Sequence, residues 1–285
     1  MISRLLLVLL VLLLLAGVVA AGRPRGVASL PPRLADVQRA TARWRTAGLA
    51  VGVVVAIVAA PLDSLGRGQM LAGPLLALSV LLGVVVGELR VTAPTERERT
   101  AVLEVRRVRD YLPWRLAAVV LSATVLLSGL LVTTTALGSA DDLGREGRSL
   151  FRQCSAVSGG SSGPWPGAFY SLPLAAVVGL GLLVAAAALR QVVRRPRQGS
   201  DLVADDLLRR RAAETVTAAT GLLVVVPFAG VATIAGITLN NVSCAPAQWR
   251  VLATVLLLLV PVLLGVGAWC AGLLLGGTKL ASVPG

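Results

Sequence analysis

Seven stretches of this chain run for 16 to 25 residues without one Asp, Glu, Lys, Arg or His. They cover residues 5–21, 47–62, 71–87, 116–137, 172–189, 218–239 and 251–275. A helix of about 20 apolar residues crosses the hydrocarbon of a bilayer. Within that layer only helices and closed barrels satisfy their own backbone. These runs are continuous and not alternating, which excludes the barrel pattern. The expected fold is therefore an all-α polytopic transmembrane helix bundle of about seven spans, forming a single integral membrane domain over residues 1–285. Composition agrees, with 14% charged residues and a mean hydropathy of +0.83, where a soluble domain carries roughly 25% charge.

The net charge of +13 comes from 26 arginines and one lysine against 14 acids. In a soluble chain that excess would point to nucleic acid. Here the arginines border the apolar runs, so they read as topology signals and contacts for anionic lipid headgroups. With the N-terminus outside and the C-terminus inside, 21 of the 27 basic residues fall on inner segments. Only Arg4, Arg67, Arg145, Arg148, Arg152 and Arg250 stay outside. The first run has a rival reading as a signal peptide, since Arg4 precedes it and Val19-Ala20-Ala21 ends it. Arg23, Arg25, Arg33, Arg39, Arg43 and Arg45 follow with only Asp36 opposing them. Such a segment resists translocation, so the run is read as an uncleaved anchor. Leu34 to Trp44 is expected to lie along the inner interface as a separate amphipathic helix. Trp44-Arg45, Trp114-Arg115 and Trp249-Arg250 each stand at a span entrance, as interfacial anchors do.

The longest outer segment, 138–170, holds three acids and three arginines and so carries no electrostatic bias. Its Gly159-Gly160-Ser161-Ser162-Gly163 run reads as a flexible loop. The topology puts Cys154 and Cys244 on one side, the oxidising one. They allow a single intramolecular disulfide; two free thiols and an intermolecular bridge remain as alternatives. Cys270 lies inside the last run without an expected partner.

Little here points to chemistry. The chain has no histidine, which removes histidine metal sites, Ser-His-Asp hydrolysis and histidine relays. Ion-coupled transport needs ionisable groups at depth, and the runs offer only hydroxyls such as Ser79, Ser122, Thr124, Ser128, Thr233 and Thr254. Asp201, Asp205 and Asp206 form no metal cluster, because adjacent helical residues point about 100° apart. Asp205 and Asp206 each have an arginine at i+4, Arg209 and Arg210. No catalytic residue, cofactor or metal is assigned. Gly83 and Gly87 form a G-x-x-x-G pair for close helix packing, within this chain or at a dimer seam. Arg106, Arg107, Arg109, Arg209, Arg210 and Arg211 make an inner basic surface. It suits anionic lipid or an acidic cytoplasmic protein partner, and no nucleic acid.

Around Arg106-Arg107-Val108-Arg109-Asp110-Tyr111-Leu112-Pro113 and Ala204-Asp205-Asp206-Leu207-Leu208-Arg209-Arg210-Arg211 the chain resembles a group of uncharacterised actinobacterial multi-pass integral membrane proteins. Pro164-Trp165-Pro166-Gly167 to Tyr170-Ser171-Leu172-Pro173 fits the same group. The resemblance implies a plasma-membrane location and nothing catalytic. The expected role is non-enzymatic: a scaffold, sensor or accessory subunit with basic cytoplasmic loops. The alternative is a transporter or channel component for a neutral or apolar solute.

Overall fold

The computed structural model describes residues 32–63, 65–90, 108–194 and 202–275. Six helices in it are long and apolar enough to cross a membrane. They are α1 (Pro32–Ala59), α2 (Arg67–Leu89), α3 (Trp114–Leu137), α4 (Ala168–Arg194), α5 (Leu202–Asn241) and α6 (Ala247–Leu275). The first apolar run, residues 5–21, lies outside the described residues. So do Arg106, Arg107, Arg195, Arg197, Ser200, the tail with Lys279 and the side chain of Asp205.

The helices overrun their apolar cores, since intrahelical hydrogen bonds propagate through any residue that tolerates the geometry. Thus α4 and α6 each begin four residues before the apolar run they contain. The interfacial helix expected at 34–44 is not separate. Pro32 suits the first turn, where its missing N–H goes unneeded, and no glycine or further proline follows before Gly48. The backbone therefore continues as one helix into the span. Helix α5 is continuous as expected; its 40 residues measure about 60 Å, roughly twice the hydrocarbon thickness.

Helix α5 is the axis of the bundle. It packs against α2, α3, α4 and α6, while α1 leans chiefly on α2. In its most apolar window 67% of residues are buried, against 11% for α1 and 17% for α6. Small residues make this possible: Ala213, Thr217, Ala218, Ala219, Thr220, Ala232 and Ala235 are all buried on α5. In lipid, close packing of small residues brings helices together, because tails and leucines are equally apolar.

The α1–α2 contact is the tightest seam. Gly83 and Gly87 of α2 meet Gly48, Trp44 and Thr41 of α1. A methyl at Gly83 would stand 2.6 Å from the Trp44 carbonyl oxygen and 2.8 Å from the Gly48 Cα. Gly52 continues the seam against Leu76 and Ser79.

Residues 138–167 differ most from expectation. The Gly159 run is not a loose loop but the strand β2 (Gly159–Ser162), paired antiparallel with β1 (Leu150–Gln153). Leu150 faces Ser162 and Gln153 faces Gly159. Trp165 is 2% exposed, and its Nε1 donates to the Thr134 carbonyl at 2.7 Å. With Leu150 it joins the upper core, which also contains Leu131, Leu239 and Val242. The hairpin is thus a packed cap over one end of the bundle.

Because the helices alternate in direction, one end gathers the 60–66, 138–167 and 242–246 links, and the other gathers the start of α1 and the flanks of α2, α3, α4 and α5. We refer to these as the capped end and the basic end. Gly83→Ala should lower stability in detergent by about 1–3 kcal/mol, because backbone blocks the new methyl. Gly129→Ala, where a Cβ meets open space, should hold or raise it by about 0.5–1 kcal/mol. Thermal melts of the two purified variants, run side by side, read both effects.

Candidate functional site

Two clusters of charged and aromatic side chains stand out, one at each end. At the basic end the residues whose side chains are described include eleven arginines and four acids, Glu88, Asp110, Asp206 and Glu214. The capped end has five arginines and four acids, Asp63, Asp141, Asp142 and Glu146.

The arginines of the basic end do two jobs. Arg109 and Arg210 are exposed, and Arg211 is half-buried. Arg109 lies beside Asp110 at 3.7 Å. Arg209 does not belong to that surface: it is 2% exposed, and its Nη1 donates to the carbonyls of Val192 at 2.9 Å and Val193 at 3.1 Å. The last carbonyls of α4 have no partner within their own helix and carry the negative end of its dipole. A guanidinium arriving from α5 satisfies both needs. Arg45 repeats the device between α1 and α6, its Nη1 donating to the Leu274 carbonyl at 2.8 Å. Tyr111 adds a further tie, its hydroxyl donating to Asp206 Oδ1 at 3.1 Å.

The tryptophans sit near their expected arginines but choose partners by space and not always by sequence. Arg115 lies over Trp114 at 5.5 Å. Trp44 is covered by Arg90 at 4.9 Å, and Trp249 by Arg152 at 5.0 Å. Such stacking holds the cation while it stays wet at one edge.

At the capped end Cys154 and Cys244, 90 positions apart in the chain, form a disulfide with Cα atoms 5.8 Å apart. It joins the turn between β1 and β2 to the link between α5 and α6. Beside it a methyl at Gly160 would press on Ser243 Cβ at 2.8 Å. Thr238 Oγ1 donates to the Pro164 carbonyl at 2.8 Å. The cap is thereby fixed to α5 along its length.

Asp141 is the hub of the other side of the cap. Its carboxylate accepts from Arg145 Nε at 2.8 Å, Arg148 Nη1 at 2.7 Å and the amides of Leu143 and Arg145. The Arg145 hydrogen bond first, then the two amides and its charge, hold the carboxyl down at about 2 against some desolvation. Arg148 Nη2 reaches Tyr170 Oη at 3.4 Å, and that hydroxyl donates to the Leu65 carbonyl at 2.8 Å. Arg67 and Arg148 both lie over Phe169, at 5.0 and 5.3 Å. A carboxylate so fully engaged is a structural anchor, not a base. Its signal in sequence was Asp141-Asp142-Leu143-Gly144: aspartate opens such turns and glycine closes them, and Gly144 has φ +71°.

Within the spans the described residues also form a concave feature. Between α3 and α6, with Val225 and Phe228 of α5 as its floor, lies an apolar groove of about 280 Å³. Ser122 is the hydroxyl in its lining. Elsewhere Ser79, Thr124, Thr217, Thr220, Thr233 and Thr254 each donate to the carbonyl four residues earlier. Hydroxyls so used pair with their own helix.

Two predictions concern the cap. Since the Asp141 carboxyl sits at about 2 when folded and about 3.9 when unfolded, its contribution is complete above about pH 4. It is lost as pH falls through about 2. Amide exchange across residues 139–150 should accelerate in that window, and Asp141→Asn should abolish the step and loosen the same amides at neutral pH. Separately, a membrane-impermeant maleimide should label Cys154 and Cys244 only after reductant; labelling without it contradicts the disulfide.

Comparison with known proteins adds no relative: no family model, no curated protein and no solved structure matches the chain.

Proposed function

We propose that this chain is a non-enzymatic plasma-membrane protein, acting as a scaffold, sensor or accessory subunit. Its basic end faces the cytoplasm, and its capped end faces outward. Residues 5–21 add a seventh, leading span, so that the N-terminus lies outside and the C-terminus inside. The observation that carries the orientation is the opposition of the two ends. The arginine excess lies at one end, where positive-inside bias places it in the cytoplasm. The disulfide lies at the other, where an oxidising compartment maintains it. These are independent physical criteria, and they favour the same orientation.

The exposed Arg109 and Arg210 and the partly exposed Arg211 are the candidates for contact with anionic headgroups or an acidic cytoplasmic partner. Arg209 and Arg45 hold helix ends and are not available in the same way. A transporter of neutral solutes has weaker support, because the span hydroxyls named above are spent on their own backbones and the groove is apolar.

A reporter fused after Gly285 should read as cytoplasmic, and an external reading would overturn the seven-span arrangement. Crosslinking with mass spectrometry in native membranes should recover a stoichiometric cytoplasmic protein attached near 108–115 or 206–211. Recovery of none would leave lipid contact as the role of those arginines and remove the docking proposal.

A further inference from the structure

We infer that the groove between α3 and α6 is a binding site for one acyl chain of an anionic phospholipid, whose phosphate is held by Arg115. The groove follows the face of α3 that presents Ala118, Ser122 and Leu126, opposite Leu259 and Leu263 of α6 and above Phe228 of α5. At about 100° per residue, positions 115, 118, 119, 122 and 126 share that face. Arg115 therefore stands at its basic-end mouth, one turn before Ala118. It is exposed, as is Trp114, and it lies over the indole at 5.5 Å. The side-chain arrangement matches an anionic lipid along its length: a cation and an interfacial ring at headgroup depth, then an apolar channel beneath. A zwitterionic lipid would fill the channel equally well but would gain less at the arginine. A free phosphate would gain nothing from the channel.

The inference rests on the proposed cytoplasmic placement of the basic end, where anionic lipid is available. Native mass spectrometry tests it on the full chain released from detergent, with phosphatidylglycerol and phosphatidylcholine supplied in equal amounts. The wild type should retain one phosphatidylglycerol in preference. Arg115→Gln should cut that preference roughly fivefold, the effect of one basic residue near the surface. Ser122→Phe, which adds bulk at an exposed position in the groove and need not disturb the core, should reduce retention of both lipids while Arg115 is intact. Equal losses from Arg115→Gln and Arg210→Gln would mean that the whole basic end attracts the lipid, which overturns the groove site and leaves the proposed orientation standing. No preference in the wild type would overturn the groove site and the lipid-contact reading together. A disulfide-linked dimer formed by Ser122→Cys in native membranes would put a second copy in the groove and also overturn the assignment.

Discussion

The bundle depends on how closely other helices can approach α5. Four helices share its circumference, and they fit because alanine, threonine and glycine occupy the contact positions. Gly221 illustrates the limit: a methyl there would come within 2.6 Å of Cys270 Sγ and 3.2 Å of Val120 Cγ2. In lipid, large apolar groups gain little by leaving the tails, and close backbone contact supplies dispersion energy. Leucines and valines accordingly serve both surfaces: Leu121, Val132, Leu183 and Leu258 face outward, while Leu127, Leu223, Val224 and Leu239 are buried.

The same packing logic explains what could be read from the sequence and what could not. Six span positions, the continuity of α5 and the pairing of Cys154 with Cys244 are legible in the apolar runs, the charge pattern and the placement of the cysteines. The G-x-x-x-G at Gly83 and Gly87 is visible in the sequence, yet its partners Gly48, Trp44 and Thr41 are not, because a glycine in one helix does not name the helix it touches. The break expected before Ala47 failed for a plain reason: polarity sets where a helix sits, and hydrogen bonding sets where it stops. The cap was legible least. Its glycines and serines read as a flexible loop, but Leu150 and Trp165 pack into the core of the bundle and the Asp141 hub ties the segment to itself. A tryptophan flanked by Pro164 and Pro166 is a weak signal of burial from sequence alone.

The arginines divide along the same line between position and partner. The excess of arginine predicts a side of the membrane without regard to individual residues. Structure separates Arg209 and Arg45, which complete the ends of neighbouring helices, from Arg109 and Arg210, which remain at the surface. Charge counting treats them alike. Burial tells them apart.

The choice of arginine over lysine fits the inward-turned group particularly well. A guanidinium stays charged when desolvated and presents several donors in a fixed plane, so a single Arg209 Nη1 can bridge the carbonyls of Val192 and Val193. A lysine there has a weaker hold on its proton once buried. Each bridge also joins two helices, Arg209 the consecutive α4 and α5 and Arg45 the first helix, α1, to the last, α6. At the opposite end the disulfide, the Asp141 hub and the Tyr170–Leu65 hydrogen bond join links in the same manner. Between the two ends the helices are held by close contact of small residues, and that contact has little directional preference. Polar ties at the ends supply the register that packing along the middle does not fix.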